Sequence, residues 1–173
     1  MTTTQSMAAS IVCSPARRLL GLGQGLLEGV DADKARCKPE GVDANHPVFI
    51  YGHLSIYPDM VLNAIGRNDL TDPKSEKWHE FFMHGHACKD NCDCYPPLDE
   101  ARAFWVDRFE TAIYAVAEAD ESVFAKQCPL EGLREMCPTV GEMCNFMLVM
   151  HTSFHLGQMS TWRRCMGLGA ISL

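Results

Sequence analysis

Apolar positions recur along this chain every three or four residues rather than every two, and they do so in four segments. That spacing belongs to helices. The first segment lies within about Gln5 to Val30, where Met7, Ile11, Leu19, Leu22 and Leu26 share a stripe. Pro15 must start, kink or interrupt it. Gly21, Gly23 and Gly25 each cost about 1 kcal/mol relative to Ala in a helix interior, so packing has to compensate. The second begins after Asn45, a good N-cap with Pro47 in the first turn, and carries Ile50, Leu54, Tyr57, Val61 and Ile65 to a stop at Gly66. Pro58 falls inside it and removes the amide that would bond the Leu54 carbonyl, which predicts a bend one turn beyond His53.

A long connection from Arg67 to Pro97 follows, with room for one short helix. The third helix, about Leu98 to Ser122, places Ala101, Trp105, Phe109, Ile113 and Val116 on one face and its charges elsewhere. The fourth opens at Thr139-Val-Gly-Glu142, a capping-box pattern directly after Pro138, and continues through Met143, Met147, Met150, His151, Phe154, His155 and Trp162 to Gly167. No strand-like alternation interrupts the set. The expected fold is all-α, a single domain over residues 1–173 built as a four-helix bundle with a long loop between helices 2 and 3.

Composition narrows the function. The chain has 173 residues, 47% hydrophobic and 21% charged, with a formal charge of −7 and a pI near 5.4. That acidity removes the basic footprint that non-specific nucleic-acid binding needs. No run of about 18 apolar residues is present, since Gly141, Glu142 and Asn145 break the richest stretch, Val140 to Met150, so a membrane partner is not expected either. Arg17 and Arg18 follow the short N-terminal apolar stretch instead of preceding it, the wrong order for a signal peptide. A reducing, cytoplasmic setting is therefore expected for the nine cysteines, which act there mainly as small buried hydrophobes.

His151 and His155 stand four apart in H-T-S-F-H-L-G-Q, so both imidazoles leave one helix face about one turn apart. Two neutral imidazoles at this spacing can chelate one divalent ion, although the Glu of an H-E-x-x-H protease is missing. The same spacing also suits a surface pair or a satisfied core, so a third ligand is needed. His53, early in the second helix and beside Gly52, is the candidate, because metal sites in bundles are built from side chains on facing helices. Three ligands would leave coordination positions open, which is the catalytic pattern.

The segment Asn45-His-Pro-Val-Phe-Ile-Tyr-Gly-His53-Leu-Ser-Ile-Tyr-Pro-Asp59, with His151-Thr-Ser-Phe-His155-Leu-Gly-Gln158-Met-Ser-Thr-Trp162, resembles the DinB/YfiT-like family of metal-binding four-helix bundles. The similarity reads across nearly the whole chain, and its second element is the more specific one. It implies one divalent ion held by His53, His151 and His155. Characterised members include S-transferases that use low-molecular-weight thiols such as bacillithiol or mycothiol, and a mycothiol-dependent maleylpyruvate isomerase. A thiol cofactor, a small-molecule substrate and a homodimer are the partners that the resemblance implies. The triad suits Zn²⁺, Ni²⁺ and Fe²⁺ alike.

Around the triad, several residues have two readings each. Gln158 shares the histidine face, either as an outer partner of a ligand or as the end of a polar stripe. Tyr57 and Tyr51 flank His53, where a phenol either donates to a bound molecule or packs in the core. Arg163 and Arg164 suit the negative end of the last helix. His84, His86, Cys88, Cys92 and Cys94 place five metal-ligand types within eleven residues, but their spacing matches no zinc motif. They form a loop zinc site, a loop over the mouth of the triad, or a variable surface segment, and the spacing favours the last. For the whole chain the leading expectation is a metal-dependent thiol transferase or hydrolase. The alternatives are a non-catalytic module that binds metal or a small molecule, and a chain whose seven histidines all serve packing or the surface.

Overall fold

The computed structural model describes residues 6–171, so Gln5 and the first residues of the N-terminal stretch lie outside it. All regular structure among the described residues is helical, apart from an isolated antiparallel bridge between Gln127 and Thr139. None of these helices is long and apolar enough to cross a membrane.

Helix α1 spans Met7–Gly25, its first turn capped by the Ser6 hydroxyl, which accepts from the Ala9 amide at 3.0 Å. Its glycines are answered by packing at one point. A side chain at Gly23 would overlap the indole of Trp105, so the glycine lets α1 lie close against the third long helix, while its carbonyl accepts the Tyr51 hydroxyl at 2.6 Å. Helix α2 spans Pro47–Ala64 with Pro58 inside it, and every residue from Pro47 to Asp59 is buried. A helix apolar on all sides must sit in the middle of a protein. Its cap is His46 rather than Asn45, because the His46 imidazole is fully buried and its Nδ1 accepts the Phe49 amide at 3.2 Å. Asn45 is turned instead toward the last helix.

The connection predicted as a long loop is partly helical. A 3₁₀ turn at Asn68–Leu70 leads into α3, Pro73–Phe82, which presses Phe82 onto Phe49 and Gly52 of α2 and sets Trp78 edge-on against Phe104. A buried ion pair fixes this crossing: Arg108 lies 3.3 Å from Asp59 and donates to the Leu70 carbonyl at 2.7 Å, while Asp59 also accepts the Asp72 amide at 2.9 Å. Such a pair contributes registry more than net stability, since both charges lose hydration on burial.

Helix α4 is Leu98–Glu118, shorter than expected, and a separate turn, α5 at Glu121–Phe124, follows after a break at Ala119 and Asp120. The last rod begins with α6, Val140–Asn145, where Thr139 and Glu142 form the expected capping box. It widens into a π turn at Phe146–His151 and resumes as α7, Thr152–Cys165. Four long rods, α1, α2, α4 and α6–α7, thus share one apolar core with α3 laid along α2.

Candidate metal centre

Two local features deliver the histidines. Gly52 has no room for a side chain, because a Cβ there would overlap the Phe82 ring, so α3 closes directly over the face of α2 that carries His53. That closeness lets His53 Nδ1 reach the Phe82 carbonyl at 2.6 Å. The second feature is the π turn. A π turn holds an extra residue compared with an α turn and so resets the rotation of whatever follows. His151 is its last residue, and the Thr152 hydroxyl bonds the Met147 carbonyl five residues back at 3.1 Å. Nothing in the apolar spacing of this segment announces the turn.

The outcome is convergence of His53, His151 and His155, whose ligand-type atoms lie within 4.8 Å of one another. The Nε2 atom of His151 is 3.1 Å from that of His53 and 3.1 Å from that of His155. Neighbouring ligands of one ion are expected about 3.0 Å apart at right angles and about 3.4 Å apart at tetrahedral angles, for metal–nitrogen bonds of about 2.1 Å. The two 3.1 Å separations from His151 fall between, and the third pair lies within 4.8 Å.

Proton placement points the same way. A carbonyl only accepts, so His53 must carry its proton on Nδ1; His155 Nδ1 likewise faces Gln158 Oε1 at 3.0 Å. Burial, helped by the neighbouring imidazoles, holds His53 at about 4 and His151 at about 3, and burial also lowers His155, so all three rings are neutral at pH 7. Two Nε2 lone pairs therefore face the third ring, and a neutral His151 has at most one proton to offer them. A divalent cation satisfies all three, in the neutral form that metals require.

The surroundings separate the other candidates. Gln158 Oε1 accepts both from His155 and from Asn45 Nδ2, the latter at 3.3 Å, so Gln158 links the ligand ring to the start of α2. Tyr57 packs edge-on against His53 and His151, with ring centroids 4.8 and 4.6 Å apart, and its hydroxyl meets the His84 backbone. His151 Nδ1 is buried without a partner, which leaves it the ligand with the weakest outer support. Arg163 serves the fold: buried, it donates to the carbonyls of Leu26 and Glu28 at 2.7 and 2.6 Å and closes the end of α1. Trp162 donates to the Cys37 carbonyl at 2.8 Å.

The histidine- and cysteine-rich loop is mostly exposed, as a surface segment would be, and among the described residues it forms no second metal-ligand cluster. Among the described residues the triad is the sole group of three or more metal-ligand side chains close enough to share an ion. Cys88 is buried, and burial pushes its thiol up to about 11, while Cys92 and Cys94 are joined as a disulfide, a pairing that the expectation of reduced cysteines did not include. His84 and His86 go elsewhere: they line a cavity of about 380 Å³ that opens over the triad. The sequence signal for this was present in H-G-H two residues after Phe82, but only the fold brings Phe82 to His53. His46, also unassigned by sequence, holds this loop down through a 3.1 Å contact from its Nε2 to the Lys89 carbonyl.

No protein-family model and no curated protein matches the chain, so the chemistry has to be argued from the site itself.

Proposed function

We propose that this protein is a metal-dependent thiol S-transferase, a DinB/YfiT-like four-helix bundle that holds one Zn²⁺, Ni²⁺ or Fe²⁺ ion on His53, His151 and His155. The supporting observation is the meeting of three neutral imidazoles through Nε2, with outward nitrogens of two of them already engaged, beneath an open cavity. An ion bound there would lower the pKa of a thiol and polarise an electrophile.

The chain's own residues supply the rest. The Phe82 carbonyl and Gln158 orient His53 and His155 and keep their protons on the outer nitrogens. Phe49, Phe146 and Phe154 line the cavity and offer an apolar co-substrate a surface to pack on, which favours a thiol with such a co-substrate. The choice of transferase over hydrolase has a second support. Among the described residues no Asp or Glu lines this cavity, so none of them offers a carboxylate to deprotonate water, whereas a thiol brings its own acidity.

The same lack of a carboxylate base favours the second reading, a module that binds metal and a small molecule without turnover. Elemental analysis of protein purified without chelator, followed by assays of thiols with an aryl halide electrophile, decides between the two. The transferase reading expects about one transition-metal ion per chain, as an open three-ligand site would hold, and turnover that disappears in His53→Ala, His151→Ala and His155→Ala. Metal without turnover supports the binding module. Absence of metal overturns both.

A further inference from the structure

The cavity over the triad has a composition unlike the rest of the molecule. The chain carries 22 acidic residues against 15 basic ones, yet among the described residues the cavity lining includes five histidines and neither Asp nor Glu. Neutral imidazoles bring no charge to balance a divalent ion, so the protein leaves two positive charges for the ligand to answer. Low-dielectric aromatic walls strengthen that demand.

The rim adds direction. Residues 83–86 form a closed turn in which the His86 amide donates to the Met83 carbonyl at 3.1 Å. The turn is tied to the site on both sides. Phe82, just before it, bonds ligand His53 through its carbonyl, and the Tyr57 hydroxyl meets the His84 backbone. His84 and His86 are exposed and line the cavity that the three converging imidazoles also line. An imidazole offers an N–H whether neutral or protonated, so the two side chains can present a pair of donors to the cavity beside the three converging imidazoles.

We propose that His84 and His86 form an anion-reading rim, and that the ligand is a small apolar or aromatic molecule with a metal-binding head and a carboxylate at its far end. The head reaches the triad, the body lies against Phe49, Phe146 and Phe154, and the carboxylate accepts from the rim. This rests on the metal reading above and extends it from the ion to the shape and charge of what meets it.

A pair of probes tests the rim separately from the ion. Protein loaded with Co²⁺ is titrated with 4-mercaptobenzoate and with 4-methylbenzenethiol, which share a thiol head and an aromatic body but differ in the far group. Absorption of the ion reports binding without any need for turnover. The expected result is a preference for the carboxylate probe of roughly tenfold, the size of a charge-assisted hydrogen-bond contribution. That preference should vanish in H84A/H86A, while Co²⁺ content stays at the wild-type level. The single variants H84A and H86A should each lose part of it. Equal affinities in the wild type, or an unchanged preference in the double variant, overturn the rim assignment and leave the metal centre standing. Failure of the wild type to take up Co²⁺ at all overturns both.

Discussion

The triad and the cysteine-rich loop make an instructive pair, because residue types alone favour the loop. The loop packs five ligand-type side chains into eleven residues, whereas His53 and His151 are 98 positions apart. Yet the distant residues meet and the neighbours disperse. In the loop, Cys88 turns into the core, Cys92 and Cys94 consume each other, and the two histidines face a cavity built by other elements. Chain proximity gives ligands a short tether but no common focus. Rigid helices give a focus, since each fixes its side chain against a packed neighbour.

The largest expected effect is the loss of the triad itself. Replacing His53, His151 or His155 with Ala should reduce bound transition metal to near background by elemental analysis. The Ser variants of Cys88, Cys92 and Cys94 stand at the other end of the scale and should leave metal content unchanged. Metal loss from those loop variants, with the triad variants still loaded, would invert the comparison.

Acidification is the next lever. In the metal-free protein, His53 and His151 titrate at about 4 and about 3, below the ordinary value of 6.5, so the unfolded chain binds more protons between those limits. The metal-free fold should therefore keep the full contribution of these histidines above about pH 6.5 and lose it progressively toward pH 3–4. Protons compete for the same Nε2 atoms, so metal release should fall in that window too. Thermal melts and metal retention across pH 3–8 check this, and a flat profile would argue against burial of neutral rings.

Gly52→Ala forces a methyl into the Phe82 ring and should lower stability by about 1–3 kcal/mol, the usual cost of overpacking. Because Phe82 also holds His53, metal affinity should drop along with the melting temperature. Gln158→Ala acts more gently. It frees the His155 ring and should weaken metal binding by about 10–100-fold, the range for loss of an outer partner, with little change in the melt of the metal-free protein. An affinity equal to wild type would show that packing alone orients His155.

Helix existence was legible from the apolar period because burial imposes it, and the capping box at Thr139 was legible because its two partners are local. The cap of α2 was missed because a buried histidine took the role usually held by Asn, a choice made by the Lys89 carbonyl on a remote loop. The π turn left no local mark, since its extra residue is an accommodation to packing and not a propensity. For the site, the H-x-x-x-H spacing and the glycine beside His53 could be read directly. The Phe82 carbonyl, the Asn45–Gln158 link and the cavity position of His84 and His86 could not, because each depends on where α3 lies.

The bond from His53 to the Phe82 carbonyl has a thermodynamic corollary. The Phe82 carbonyl bonds His53, and the turn at residues 83–86 follows directly, so an ion on the proposed triad and an occupant of the proposed rim would both bear on this one segment. If an occupant steadies that turn, the ion must be held more tightly by the factor with which the ion tightens the occupant, because coupling free energies are reciprocal. Metal affinity measured with and without a rim ligand would then read how well that ligand fits.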